Sequence, residues 1–264
     1  MGASVRPAEA GDLDAIAALT AAHRVRLATA SPRWWGAAAG ADEMHRLWLG
    51  HLIAADGPRF RVVEVGGVVR GCGVALAQGD QWFLDDLAVA DWAEAGAALL
   101  AAVSETPVLT CAAPGDAARA GALRRAGWVL ASRVWIGDAV AGDLPPGVGP
   151  LAPRAPLPPP APHTFGSLDP GATGALALGD GDGGVVTGSA PVTAPPVYAA
   201  PGTVCVVDRL VGPDRAGLVR AAVAAAGTRG DALVAVVAAA GDGDLAGALS
   251  GAGFVATVDV YRRG

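Results

Sequence analysis

The chain has 264 residues, 52% of them hydrophobic and 17% charged, so it can bury a sizeable core and general disorder is excluded. Its 19 basic residues are all arginine, its net charge is −6, and the arginines form nothing denser than Arg124–Arg125 and Arg262–Arg263, which argues against nucleic acid as a partner. Cys72, Cys111 and Cys205 lie far apart in apolar runs and read as reduced and buried; no metal-ligand spacing is present, so no metal is expected. No charged-then-apolar leader opens the chain and no apolar run reaches membrane-spanning length, so a cytoplasmic protein without a membrane partner is expected.

In chain order, Ser4–Ala8 reads as a strand. Asp12 precedes a helix whose apolar residues Leu13, Ile16, Ala17 and Leu19 share a face. Pro32 forbids its simple continuation, and Trp34 and Trp35 fall in a loop. A second helix covers Asp42–Ala55, with Met44, Leu47, Trp48, His51 and Leu52 on its inner side, ended by Gly57 and Pro58. Arg59–Val65 and Val68–Gln78 form a hairpin around Gly66–Gly67. Trp82–Val89 is a strand, followed by a short turn with Gly96 and a helix to about Ser104. Pro107–Ala112 is a strand, Asp116 caps a helix closed by Gly127, and Trp128–Ile136 is a further strand. This order predicts an α/β chain with a mixed sheet flanked by helices.

The segment Leu144–Pro162 is Pro-rich and reads as an extended linker that cannot join a sheet, which divides the chain into residues 1–138, a linker 139–165, and residues 166–264. The pattern then repeats in part. GGVVRG (66–71) matches GGVVTG (183–188), and LRRAGWVLASRVW (123–135) matches LSGAGFVATVDVY (249–261). Strands over Gly174–Leu178, Val185–Ser189, Val204–Val211, Asp231–Ala238 and Phe254–Tyr261 are interrupted by helices starting at Asp214 and Asp244. The second part has no counterpart of the two N-terminal helices and reads as a truncated copy. GDGDGG (179–184) is a hairpin turn: its match to Gly66–Gly67 and the missing terminal glutamate argue against a calcium loop.

Four segments carry a resemblance: VRPAEAGDLDAIAAL at the start, VVEVGGVVRGCGVA in the hairpin, LDDLAV before the central helix and ALRRAGW before residue 129. Together they resemble the GCN5-related N-acetyltransferase (GNAT) family over residues 4 to about 138, and again in part over 171–262. The resemblance implies a tandem acyl-CoA N-acyltransferase fold and acetyl-transfer from acetyl-CoA to a small-molecule or peptide amine. It implies that the edge of the strand at Leu87, Ala88 and Val89, and the turn at Ala95, Gly96 and Ala97, hold acetyl-CoA, with the diphosphate on N–H groups at a helix start. It further implies a carboxylate base, and a hydroxyl to protonate the leaving thiolate.

Asp85 and Asp86 are the leading candidates for the base, because a carboxylate inside an apolar strand needs a reason to be there; in a regular strand only one of them can face a given side. Glu64, on the neighbouring strand, comes next. Trp34 and Trp35 lie where the family lines its acceptor site. The chain departs from the family at the diphosphate turn, where ADWAEAG has no Arg or Gln and places Glu94 near a diphosphate, and at Leu123 and Leu249, where the family has tyrosine. A second expectation is therefore a GNAT-fold binding or scaffold protein that has lost its cofactor site. A third places the cofactor at VGPDRAG (211–217), with Arg215 meeting a phosphate. A monomer with pseudo-dimeric halves, or a homodimer, is expected.

Overall fold

The computed structural model describes residues 2–55, 57, 59–103, 105–151 and 172–264. The helix ends read at Pro58 and Ser104, and the stretch of the Pro-rich linker from residue 152, lie outside the described residues. The chain forms two compact units. The first comprises Met1–Leu130, Pro195–Ala199 and Val260–Gly264, and the second Ala131–Ala194 and Ala200–Asp259.

The first unit is built on strands β1 (Ala3–Pro7), β2 (Arg59–Val65), β3 (Val68–Gln78), β4 (Gln81–Val89) and β5 (Val108–Ala112), side by side in chain order. All pair antiparallel except β4 and β5, which are parallel. The β2–β3 hairpin turns at Gly66 and Gly67, both with positive φ (62° and 78°), the conformation a two-residue turn of right-handed twist demands. Alternation along β2 sorts the core into two faces. Val62 packs with Ile16, Leu49 and Leu52 on one side, while Val63 packs with Leu99, Leu100, Leu123 and Trp128 on the other.

Helices α1 (Leu13–Ala30), α2 (Pro32–Trp35) and α3 (Ala41–Ala54) precede β2. Trp34 and Trp35 thus sit in one short helical turn, not a loop, because Pro at the first helical position presets the backbone. On α3 the buried face is Ala41, His45, Leu49 and Leu52. The face read from Met44, Leu47 and Trp48 is instead exposed, at 37%, 70% and 46%. The helix carries two apolar stripes, and the sheet buries the one that holds His45.

After β4 come a π turn (Trp92–Gly96), α4 (Ala97–Ala101), β5 and α5 (Ala117–Arg125). In the second unit, β11 (Leu233–Ala239) lies between β6 (Val129–Asp138), to which it is antiparallel, and β10 (Val204–Val211), to which it is parallel. Beyond β10 follow β9 (Val185–Gly188), β8 (Leu176–Gly179) and β7 (Gly149–Pro150). Gly149–Pro150 thus does pair, against the expectation for the Pro-rich segment; at a sheet edge the missing N–H of proline costs no ladder bond. Helices α6 (Arg215–Arg229) and α7 (Gly243–Gly251) complete the unit, and β12 (Val255–Arg263) begins in it and ends in the first.

The sequence repeat recurs as repeated local devices. Asp116 caps α5 by accepting from Arg119 N–H at 3.0 Å, and Asp242, not Asp244, caps α7 by accepting from Leu245 N–H at 3.0 Å. Both helices end alike: Gly127 and Gly253 have φ of 82° and 81°, and Trp128 and Phe254 donate N–H to Leu123 and Leu249 carbonyls at 3.0 Å.

Candidate active site

The site is made by an irregularity in β4. Its register against β3 runs from Gln81↔Gln78 to Asp85↔Val74, and resumes at Ala88↔Cys72. Gly73 of β3 therefore faces two residues of β4, Asp86 and Leu87. Asp86 takes up the extra length at φ 46°, a left-handed conformation that Asp adopts more readily than most residues. Strand residues three apart normally point to opposite sides, yet Leu84 and Leu87 lie in the same core cluster. The bulge reconciles the two. It also breaks the simple alternation expected for Asp85 and Asp86. A Cβ at position 73 would sit 3.2 Å from Leu87 and 3.3 Å from Leu84, so glycine keeps the bulge uncrowded.

Asp86 is held from α3. His45 Nε2 lies 2.9 Å from one carboxylate oxygen and 3.1 Å from the other. His45 Nδ1 in turn faces the Arg24 guanidinium, which also pairs with Asp42. Arginine has no acceptor, so Nδ1 must accept, and the imidazole proton resides on Nε2, pointing at Asp86. The exposed Asp42, buried Arg24, buried His45 and Asp86 form one hydrogen-bonded chain. Sequence reading assigned His45 no special role; its position one turn from Ala41 and Leu49 on the buried stripe is the signal that could have found it.

Asp85 has a different setting. It accepts the Asp86 N–H at 2.9 Å, and burial, reinforced by the charge of Asp86, pushes its carboxyl up to about 7. Tyr198 belongs to the same unit: Ala199 donates N–H to Gly36 O at 2.7 Å and Ala38 donates to Val197 O at 3.1 Å. Its ring meets Trp35 edge-on at 5.0 Å, and Trp34 meets Trp35 at 6.1 Å. Burial, then the fields of Asp86 and Asp85, push the Tyr198 phenol above its ordinary value. A phenol from more than a hundred residues away in sequence thus comes within the field of the carboxylates, where no local pattern could have announced it. Leu123, the position of the family tyrosine, is fully buried core.

β4 pairs with β5 only over Trp82–Leu84. Beyond that point the β5-facing edge of β4 is served by side chains. Thr110 Oγ1 donates to Leu84 O at 2.8 Å, and Arg119 donates to Leu87 O at 3.1 Å. The side chains of Leu87, Ala88 and Val89 are buried, so this edge offers only its backbone. In the turn that follows, Ala95 and Gly96 are buried and Ala97 is exposed. Asp91 already accepts the Ala93 N–H at 2.8 Å, and Trp92 lies over Gly96 so closely that a Cβ there would be 2.6 Å from its ring.

Glu64 is not joined to this cluster. It accepts two bonds from Arg6, at 3.0 and 2.6 Å, and Arg6 also pairs with Asp12. In the second unit, Arg215 donates to Leu210 O and pairs with Asp242 at 3.4 Å, so its charge is already engaged. In the GDGDGG turn, Asp180 accepts from Asp182 N–H, at 2.9 Å, and from Gly184 N–H, at 2.5 Å. Among the described residues, no group of three or more His, Cys, Asp or Glu is placed to hold a metal ion, and no helix is long and apolar enough to cross a membrane.

Neither a family model nor a curated protein matches the sequence. Solved structures do. A GCN5-related N-acetyltransferase from Sphaerobacter thermophilus is 16% identical, with a TM-score of 0.52 over 99% of this chain and 95% of its own. A Thermoplasma acidophilum protein described as a candidate acetyltransferase is 11% identical, with a TM-score of 0.51 over 98% of this chain and 99% of its own. The chain has the GNAT fold. A tandem GNAT protein from the clavulanic acid biosynthesis pathway also matches, 15% identical with a TM-score of 0.44 over 99% of this chain and 98% of its own.

Proposed function

We propose that the first unit transfers the acetyl group of acetyl-CoA to the amine of a small molecule or peptide, with Asp85 as the base. The observation that carries this reading is the unequal treatment of two adjacent carboxylates. His45 holds Asp86, while Asp85 is raised to about 7, where a general base works best at neutral pH. The GNAT fold supports the reaction class; a fold alone does not fix it.

The donor supplies the activated acyl carbonyl. Asp85 removes a proton from the attacking amine, and Asp86, kept in place by His45, adds negative charge that favours an ammonium. The aromatic cluster of Trp34, Trp35 and Tyr198 would favour the same cation where a ring face meets it. Tyr198, whose phenol stays protonated through neutral pH, has a proton to donate to a leaving group. The fit to the donor is uneven. The edge of β4 past Leu84, unpaired with β5 and met there by Arg119 at Leu87 O, suits an amide-bearing arm at its remaining backbone groups. The 91–96 turn does not suit a diphosphate, because Asp91 takes an N–H, Trp92 covers Gly96 and Glu94 is acidic. The β4 edge would hold the donor's amide arm, while the turn beside it opposes the diphosphate.

Calorimetric titration of acetyl-CoA into the full chain, followed by an amine panel with wild type and Asp85→Asn, tests this. Binding near one per chain, with activity lost in Asp85→Asn, is the expected result. Absence of any donor binding would overturn it in favour of a non-enzymatic binding protein.

A further inference from the structure

Among the described residues, Arg119 is the buried arginine of the first unit that hydrogen-bonds only neutral groups through its side chain. It is 3% exposed. Its guanidinium donates to Leu87 O at 3.1 Å, Thr110 Oγ1 at 3.3 Å and His23 Nε2 at 3.0 Å. Its Nε–H is covered and meets no acceptor. Among the described residues no carboxylate pairs with it. The half-exposed ring of Trp92 lies 5.8 Å away. His23 accepts and so carries no proton on Nε2; burial and the charge of Arg119 push it down to about 2, so it does not compete as a cation.

A buried guanidinium with a spare donor and no ion-pair partner among the described residues is costly to keep, even within the fields of Asp116 and Asp85, and a chain that only needed to fill this space would place an apolar residue there. The cation lies at the edge of β4 that β5 leaves unpaired, on the bulge residue Leu87, within the fields of Asp116 and Asp85. We infer that Arg119 anchors a carboxylate site: one of the two substrates carries a carboxylate that Arg119 recognises, while Asp85 serves the amine. Assigning that carboxylate to a substrate rests on the transferase reading; the anion site itself does not. Two sources share this chemistry, an acyl donor whose acyl group ends in a carboxylate and an amino-acid-like acceptor.

Thermal melts of the full chain in malonate and in chloride at matched ionic strength test the site without catalysis. Malonate is expected to raise Tm by about 3 °C over chloride in wild type and not in Arg119→Gln. Two paired titrations separate the sources: succinyl-CoA against acetyl-CoA, and L-phenylalanine against phenethylamine. In the pair that contains the true source, the carboxylate-bearing member binds at least tenfold tighter, and Arg119→Gln abolishes the difference. The inference is overturned if malonate gives wild type nothing beyond chloride, a result that needs no variant. It is equally overturned if Arg119→Gln and Arg119→Lys, both folded by circular dichroism, keep the malonate effect. A chain that binds the carboxylate and transfers no acyl group would sink the transferase reading alone.

Discussion

His45 gives its Nε2 proton to both carboxylate oxygens of Asp86, at 2.9 and 3.1 Å, because Arg24 occupies the other ring nitrogen. Fixing the tautomer this way makes His45 a positioning residue for Asp86. His45→Gln keeps a donor without the ring geometry, and His45→Ala removes it. Activity is expected to fall about 10-fold in the first and about 100-fold in the second, with the pH–rate midpoint moving upward as Asp86 bears more fully on Asp85. A pH profile of kcat/KM checks this; an unmoved midpoint would mean the imidazole only fills space.

Asp85 also sets a stability signature. Its folded value, raised to about 7, exceeds the ordinary 3.8, so the folded chain binds more protons than the unfolded one between these pH values. Stability contributed by this group is therefore greatest below about pH 4 and declines as pH rises towards 7, by at most roughly 1.4 kcal/mol for each pH unit crossed. Asp85→Asn is expected to raise Tm by a few degrees at pH 8 and to leave it unchanged at pH 4. Melts of both proteins across this range check the sign. Where activity is measurable, kcat/KM should rise through a midpoint near 7.

The 91–96 turn is acidic and self-capped, and its charge should oppose a diphosphate at close range. Glu94→Arg replaces a repulsion with an attraction, so acetyl-CoA should bind about 10-fold tighter, with the gain shrinking in salt. Calorimetry at two ionic strengths checks this, and an unchanged affinity would place the diphosphate elsewhere.

Tyr198→Phe keeps the edge contact with Trp35 and removes only the hydroxyl. If the phenol protonates a leaving group, kcat should fall about 10-fold with little change in KM, and Tm should stay within a degree or so. Steady-state kinetics beside a thermal melt separate this from a packing defect.

In the second unit, α6 runs against the chain at Val140 and Ala141. A Cβ at Gly227 would lie 2.2 Å from Ala141 N and 2.3 Å from Val140 C, both backbone atoms that cannot step aside. Gly227→Ala should destabilise by about 1–3 kcal/mol, read as a lowered denaturation midpoint.

Much of the local structure was legible in the sequence. The Gly66–Gly67 hairpin, the Asp116 cap, the Gly127 and Gly253 helix stops and the position of β4 all follow from short-range chemistry: positive φ, spare N–H groups and alternating burial. The internal sequence repeat was legible for the same reason, since both stretches need the same turn and cap devices at the same spacing. Legibility failed where a longer-range partner chose between options. The α3 helix has two apolar stripes, and the sequence could not say that the sheet would take the one with His45. Asp85 and Asp86 were legible as candidates, but not their unequal settings, because these depend on a bulge opposite Gly73 and on a histidine about forty residues upstream.

By itself, then, the sequence determined the elements, their order and the pair of carboxylates, because these rest on interactions within a few residues. Only the tertiary structure decided which carboxylate is held and which is raised, that Tyr198 and Val260–Gly264 join the first unit, and that Arg119 is buried without an ion-pair partner among the described residues. Those outcomes depend on burial and on charges brought together from distant segments, and both are properties of the packed chain.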